Sequence, residues 1–133
     1  MSNQYVLDSF AILAFLQKER GHDRVGEILN ESKKGTSQVM MTWVNLGEVA
    51  YTVQRRWDKS KVHQILANLE TSNVAFVDAG QELSLKAADY KAGYRMAYAD
   101  TFAAALAELK DCVLVTGDPE FKTLEERVSI EWL

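Results

Sequence analysis

Four short apolar runs, kept apart by segments of helical spacing, govern what this 133-residue chain can fold into. The runs at 4–7, 36–41, 75–77 and 112–116 are too short for buried helices and read as strands. A fifth segment, 128–132, alternates well enough to be a last edge strand. Between them, residues 9–18 carry Phe10, Leu13, Ala14 and Leu16 at helical spacing. After the polar break Gly21-His22-Asp23, a second helix runs through Val25, Ile28 and Leu29 and stops at Lys33-Lys34-Gly35, where basic residues and glycine suit a helix end. Thr42 is placed to cap a helix that reaches about Trp57, with Leu46, Val49, Ala50, Val53 and Trp57 as its apolar stripe. Asp58 or Ser60 opens another, burying Val62, Ile65, Leu66 and Leu69. Further helices are expected over 81–96 and 100–110. Strands alternating with helices predict an α/β fold, a mainly parallel sheet of four to five strands with right-handed crossovers. Residues 1–133 read as one domain, and Pro119, the only proline, marks a turn.

Three of those strand and helix boundaries end on acid. Asp8 closes the first run, Asp118 follows the fourth across Thr116-Gly117, and Asp100 heads the alanine-rich segment Thr101-Phe102-Ala103-Ala104-Ala105. Glu48 lies within the helix after the second strand, turned away from the stripe of Leu46, Ala50, Val53 and Trp57 at 100° per residue. Each has an ordinary explanation: Asp8 and Asp100 as helix caps, Asp118 as a turn residue, Glu48 as a solvated side chain. Together they say more. In parallel sheets the ligand crevice lies beyond the carboxyl ends of the strands, where strand order reverses. Two carboxylates about 4 Å apart repel by about 4 kcal/mol at an effective dielectric near 20. A hard divalent cation with oxygen ligands removes that repulsion.

Composition narrows the setting. A single cysteine, Cys112, precludes an intrachain disulfide and reads as a buried, inert thiol. No apolar run approaches the roughly 18 residues that span a bilayer, and the amino terminus lacks a basic leader. A cytoplasmic protein without a membrane partner is expected. The net charge is −4; setting aside four of the 19 acidic residues leaves the rest matched by the 15 Lys and Arg. Such a balance argues against strong nonspecific nucleic-acid binding but not against a polyanionic substrate reached through bound cations. His22 and His63 lack zinc-site spacing, and no glycine-rich phosphate loop implies a nucleotide cofactor.

Four stretches, in order, carry a resemblance: Tyr5-Val6-Leu7-Asp8-Ser9, Asn45-Leu46-Gly47-Glu48-Val49-Ala50-Tyr51, the segment Tyr98-Ala99-Asp100-Thr101-Phe102 with the alanines after it, and Leu114-Val115-Thr116-Gly117-Asp118-Pro119-Glu120-Phe121. With them the chain resembles the PIN-domain endoribonucleases, in particular the VapC-type toxins of toxin–antitoxin pairs. The resemblance implies a PIN-like three-layer sandwich in which Asp8, Glu48, Asp100 and Asp118 bind Mg²⁺ or Mn²⁺ and catalyse hydrolysis of RNA phosphodiesters, leaving 5′-phosphate ends. It implies a supporting hydroxyl at Thr116, with Ser9 a weaker counterpart. It also implies a homodimer and a small antitoxin covering an apolar groove, for which Phe15, Leu16, Trp43 and Trp57 are candidates, although core packing accounts for most of them. Gly117 departs from the family, whose members often carry a polar residue there. Glu120 reads as a solvated turn residue or an auxiliary acid.

For RNA contact, the densest cationic patch is Arg55, Arg56, Lys59 and Lys61 around Trp57, although a solvated helix junction explains it slightly better. Lys86, Lys91 and Arg95 do not share a helix face. The rival from another class is a phosphoacceptor receiver-like domain using Asp78 at the end of the third run. Against it, Asp8 has no acidic neighbour. A PIN-like module that binds without catalysis is the other alternative.

Overall fold

A computed structural model describes residues 3–133. In chain order the elements are β1 (Asn3–Leu7), α1 (Ser9–Leu16), α2 (His22–Lys34), β2 (Ser37–Thr42), α3 (Trp43–Arg56), α4 (Lys59–Thr71), β3 (Ala75–Val77), α5 (Gln81–Gly93), α6 (Tyr98–Lys110), β4 (Val113–Thr116), a 3₁₀ turn (Pro119–Leu124) and β5 (Ile130–Trp132). The five strands form one sheet in the order β3-β2-β1-β4-β5, and every neighbouring pair is parallel. The first strand is therefore central, flanked by β2 and β4. The order reverses beside it, which is where a crevice opens at the carboxyl ends.

Both faces of the sheet are covered, as parallel sheets require. Alternation along β1 and β4 sends Leu7 and Val115 to one face, Val6 and Leu114 to the other. The first face packs on α1 to α4 through Ile12, Val25, Ile28, Val49, Val53 and Ile65. The second packs on α5 and α6 through Ala87, Tyr90 and the unbroken buried run from Phe102 to Ala107. A helix apolar all round belongs in an interior, and alanines let it lie close to the sheet. A three-layer α/β sandwich results, as expected. Cys112 is buried just before β4, and burial raises its thiol. None of the described helices is long and apolar enough to cross a membrane.

Local signals acted largely as the sequence predicts. Thr42 accepts the amide of Asn45 as the cap of α3, Asp58 that of Lys61 as the cap of α4, and Gly35 closes α2 in the left-handed region at φ +81°. Several boundaries differ. The helix expected to reach Lys18 stops at Leu16, where Lys18 turns to φ +54°. The helix from Gln81 ends at Gly93 rather than Met96, because Tyr94 is extended and returns Met96 to the second core. Asp100 caps nothing: α6 begins at Tyr98, and Asp100 sits in its first turn. Trp57 leaves the stripe assigned to it; it lies past the end of α3, 44% exposed, beneath the guanidinium of Arg56.

Candidate metal centre

The backbone register alone brings the first acid beside its supporting hydroxyl. Leu7 pairs with Val115, so the next residues, Asp8 and Thr116, emerge together at the carboxyl end of the sheet. Asp8 is the cap of α1, and its Oδ1 accepts from the amide of Ala11 at 2.8 Å. Its Oδ2 accepts from Thr116 Oγ1 at 2.5 Å. The same Thr116 oxygen accepts from the amide of Asp118 at 3.0 Å. One fully buried hydroxyl thus ties Asp8 to the turn that carries Asp118. The capping role expected of Asp8 is present, and the same side chain is tied to the turn that carries Asp118.

Asp118 caps the 3₁₀ turn, accepting from the amide of Glu120 at 3.0 Å. The turn sets the exposed Glu120 alongside, so that carboxylate oxygens of Asp100, Asp118 and Glu120 all lie within 4.8 Å of one another. Asp100 is buried in the first turn of α6, where backbone amides favour negative charge. Glu48 is half-buried, and its Oε1 accepts from Asn45 Nδ2 at 3.2 Å.

Electrostatics couple the group. Burial, opposed by the hydrogen bonds from Thr116 and Ala11 and reinforced by the charges of Asp118 and Glu48, pushes the Asp8 carboxyl up to about 7. Burial and then the charges of Asp118, Glu48, Asp8 and Glu120 push Asp100 to about 7 as well. Two aspartates held so far above their usual range indicate a centre that lacks compensating positive charge. Its donor set is carboxylate oxygen alone, without histidine or cysteine, and suits a hard cation such as Mg²⁺ or Mn²⁺.

Two residues outside the expected quartet lie at this centre, one of them weighed in the sequence only as an auxiliary acid. Glu120 is one; its signal was the spacing Asp118-Pro119-Glu120, in which a 3₁₀ turn places the second acid beside the first. Asn45 is the other. Fully buried, it accepts from Thr42 Oγ1 at 2.5 Å and donates to Ala99 O at 3.0 Å as well as to Glu48, joining the starts of α3 and α6. A buried amide three residues before a site glutamate was the available clue.

Other candidates fall elsewhere. Ser9 is half-buried, and its hydroxyl bonds to none of these acids. Arg55 continues the Glu48 side of α3, whereas Arg56 turns away, donating to Gln17 Oε1 at 3.4 Å, and Lys59 and Lys61 start the next helix. Lys86 is paired with Glu108, and Lys91 donates to Met96 O. Asp78 is exposed at the end of the edge strand β3, apart from the acidic centre. The missing side chain at Gly117 has a physical counterpart: a Cβ there would lie 2.4 Å from the ring of Phe10, which fills that space from α1.

Removing the Thr116 hydroxyl tests the coupling. Thr116→Val strips a buried carboxylate oxygen and a buried amide of their partner, and a loss of about 1–3 kcal/mol is expected in urea unfolding at pH 7.5. The loss should shrink at pH 5, where Asp8 is protonated. A variant as stable as the parent at both pH values would deny Thr116 this role.

A family model described as PIN domain matches residues 5–127. No curated protein matches the sequence. Among solved structures, the chain is similar to VapBC2 from Rickettsia felis, bound to a DNA fragment from its promoter, at 18% identity and a TM-score of 0.72 over 96% of this chain and 97% of that one. It is similar to VapC20 from Mycobacterium tuberculosis, described as a sarcin–ricin loop cleaving toxin, at 16% identity and 0.69 over 90% and 93%. VapBC-1 from nontypeable Haemophilus influenzae gives 19% identity and 0.68 over 97% of both chains. At such identities the likeness is one of fold.

Proposed function

This chain belongs to the PIN-domain family, and from that premise we propose that it is a metal-dependent endoribonuclease, the toxin of a toxin–antitoxin pair. The observation that carries the reading is the convergence of Asp100, Asp118 and Glu120 oxygens within 4.8 Å, coupled by charge to Asp8 and Glu48. Asp8, Glu48, Asp100 and Asp118 would hold Mg²⁺ or Mn²⁺, with Glu120 beside them. When bound, the cation activates water as a nucleophile and neutralises charge on the phosphoryl oxygens and the leaving group.

The protein's own contribution is orientation. Thr116 fixes the Asp8 carboxylate, Asn45 fixes that of Glu48, and the first turn of α6 presents Asp100. Such supporting bonds hold ligands in place and are worth roughly 10- to 100-fold in affinity or activity. Protons on Asp8 and Asp100 must leave before a cation enters, so cation affinity rises with pH through about 7.

The partner proposed is an antitoxin seated on an apolar groove of about 300 Å³ between α1, α2 and α4, lined by Ile12, Phe15, Leu16, Leu29, Ile65 and Leu69. The neighbours that are VapBC assemblies support this reading. A homodimer is proposed with it. Incubating the purified chain with a labelled RNA in Mn²⁺, with and without EDTA, tests the activity. Internal cleavage into discrete 5′-phosphorylated fragments, suppressed by EDTA, is expected; RNA left intact in Mn²⁺ would refute the nuclease reading.

A further inference from the structure

An acidic centre repels a polyanion, so a nuclease built on one needs a cationic or stacking contact close by. The helix α3 carries both on the side that supplies Glu48. At 100° per residue Arg55 lies about 20° from Glu48 around the helix and about 10 Å along it, with Tyr51 between them. Tyr51 is 52% exposed, and the Arg55 guanidinium lies over its ring at 5.1 Å. Arg55 makes no ion pair among the described residues and is itself exposed. Arg56, Lys59 and Lys61 do not share this face.

We propose that Tyr51 and Arg55 form a positioning subsite for single-stranded RNA next to the scissile phosphate, Tyr51 stacking on a base and Arg55 holding a phosphate further along. This rests on the nuclease reading above and names the form of its substrate. The spacing suits it: about 10 Å corresponds to about three stacked nucleotides at 3.4 Å each. Stacking on an aromatic face requires an unpaired base, because a duplex hides its base faces. A tyrosine and arginine spaced i, i+4 could instead be only a helix-stabilising pair. In that case neither side chain would affect RNA.

The test is fluorescence anisotropy of a fluorescein-labelled, unstructured 15-nucleotide RNA, and of the same strand in duplex, in Ca²⁺ in place of Mn²⁺ to suppress cleavage. The single strand is expected to bind more tightly than the duplex. Tyr51→Ala should weaken single-strand binding about fivefold to a hundredfold, with Tyr51→Phe close to the parent. Arg55→Gln should reduce the salt dependence by about one phosphate contact. Melting temperatures of all three variants should stay near the parent, and in Mn²⁺ KM should rise more than kcat falls. Equal binding by Tyr51→Ala and the parent, or no preference for the single strand, overturns the subsite. A parent chain that binds as described yet cleaves nothing in Mn²⁺ leaves the subsite standing and removes the nuclease reading instead.

Discussion

Replacing Asp100 by Asn is expected to slow RNA cleavage in Mn²⁺ by roughly a thousandfold, the equivalent of about 4 kcal/mol of transition-state stabilisation. The amide keeps the size of the side chain and its place in the first turn of α6, but it removes one charge from the cluster with Asp118 and Glu120. The fold should persist, because Asp100 reaches its high proton affinity through burial and like charge rather than through a stabilising ion pair. Unfolding without metal should therefore be unchanged or slightly harder. Initial rates on a labelled RNA, with circular dichroism as the check on folding, decide the matter. A folded variant within tenfold of the parent rate would remove Asp100 from the catalytic group.

Adding Mn²⁺ to EDTA-treated protein should raise the melting temperature by about 10 °C at a hundredfold excess over the dissociation constant, the equivalent of about 2.7 kcal/mol. The effect depends on pH with a definite sign. Asp8 and Asp100 bind protons at about 7 in the fold, against 3.8 for ordinary aspartate. A folded group with raised proton affinity contributes stability that is complete below about pH 4 and is lost as pH climbs through about 7. The metal-free protein should therefore become less stable between pH 5 and pH 8 by roughly a few kcal/mol. Mn²⁺ should flatten this decline, since the cation replaces the protons. Differential scanning fluorimetry across that range reads both effects. A melting point indifferent to Mn²⁺ at pH 8 would contradict a cation site at these carboxylates.

Much of this was legible in the sequence, for reasons particular residues make plain. Strands buried on both faces appear as short unbroken apolar runs, so Val6-Leu7 and Leu114-Val115 announced themselves, and the acids that stop such runs fell at the carboxyl edge. Helix caps at Thr42 and Asp58 were readable because one oxygen meets one amide three residues on. What escaped depends on tertiary neighbours. Trp57 fits the α3 stripe by period, but the helix has ended, and its ring meets Arg56 instead of the core. Tyr94 turns extended directly after Gly93, a stop signal that the run on to Met96 concealed, and so shortens α5. Glu120 could be read as a solvated turn residue or an auxiliary acid, and only the 3₁₀ turn that sets it beside Asp118 and Asp100 decides between them. Asn45 resembles any polar helix residue until Ala99, fifty-four positions later, is seen to accept its amide. The glycine at 117 is explained only by the aromatic ring from α1 that occupies its side-chain space.

The strand order has a consequence for when the acidic centre comes into being during synthesis. Since β4 docks directly against β1, Asp8 gains its Thr116 partner, and Asp118 its place, only after more than a hundred intervening residues have been synthesised and threaded into position. A ribosome-bound fragment that ends before that strand holds three scattered acids and no assembled cage. The centre therefore assembles late and all at once, and any chemistry it supports waits on nearly the whole chain.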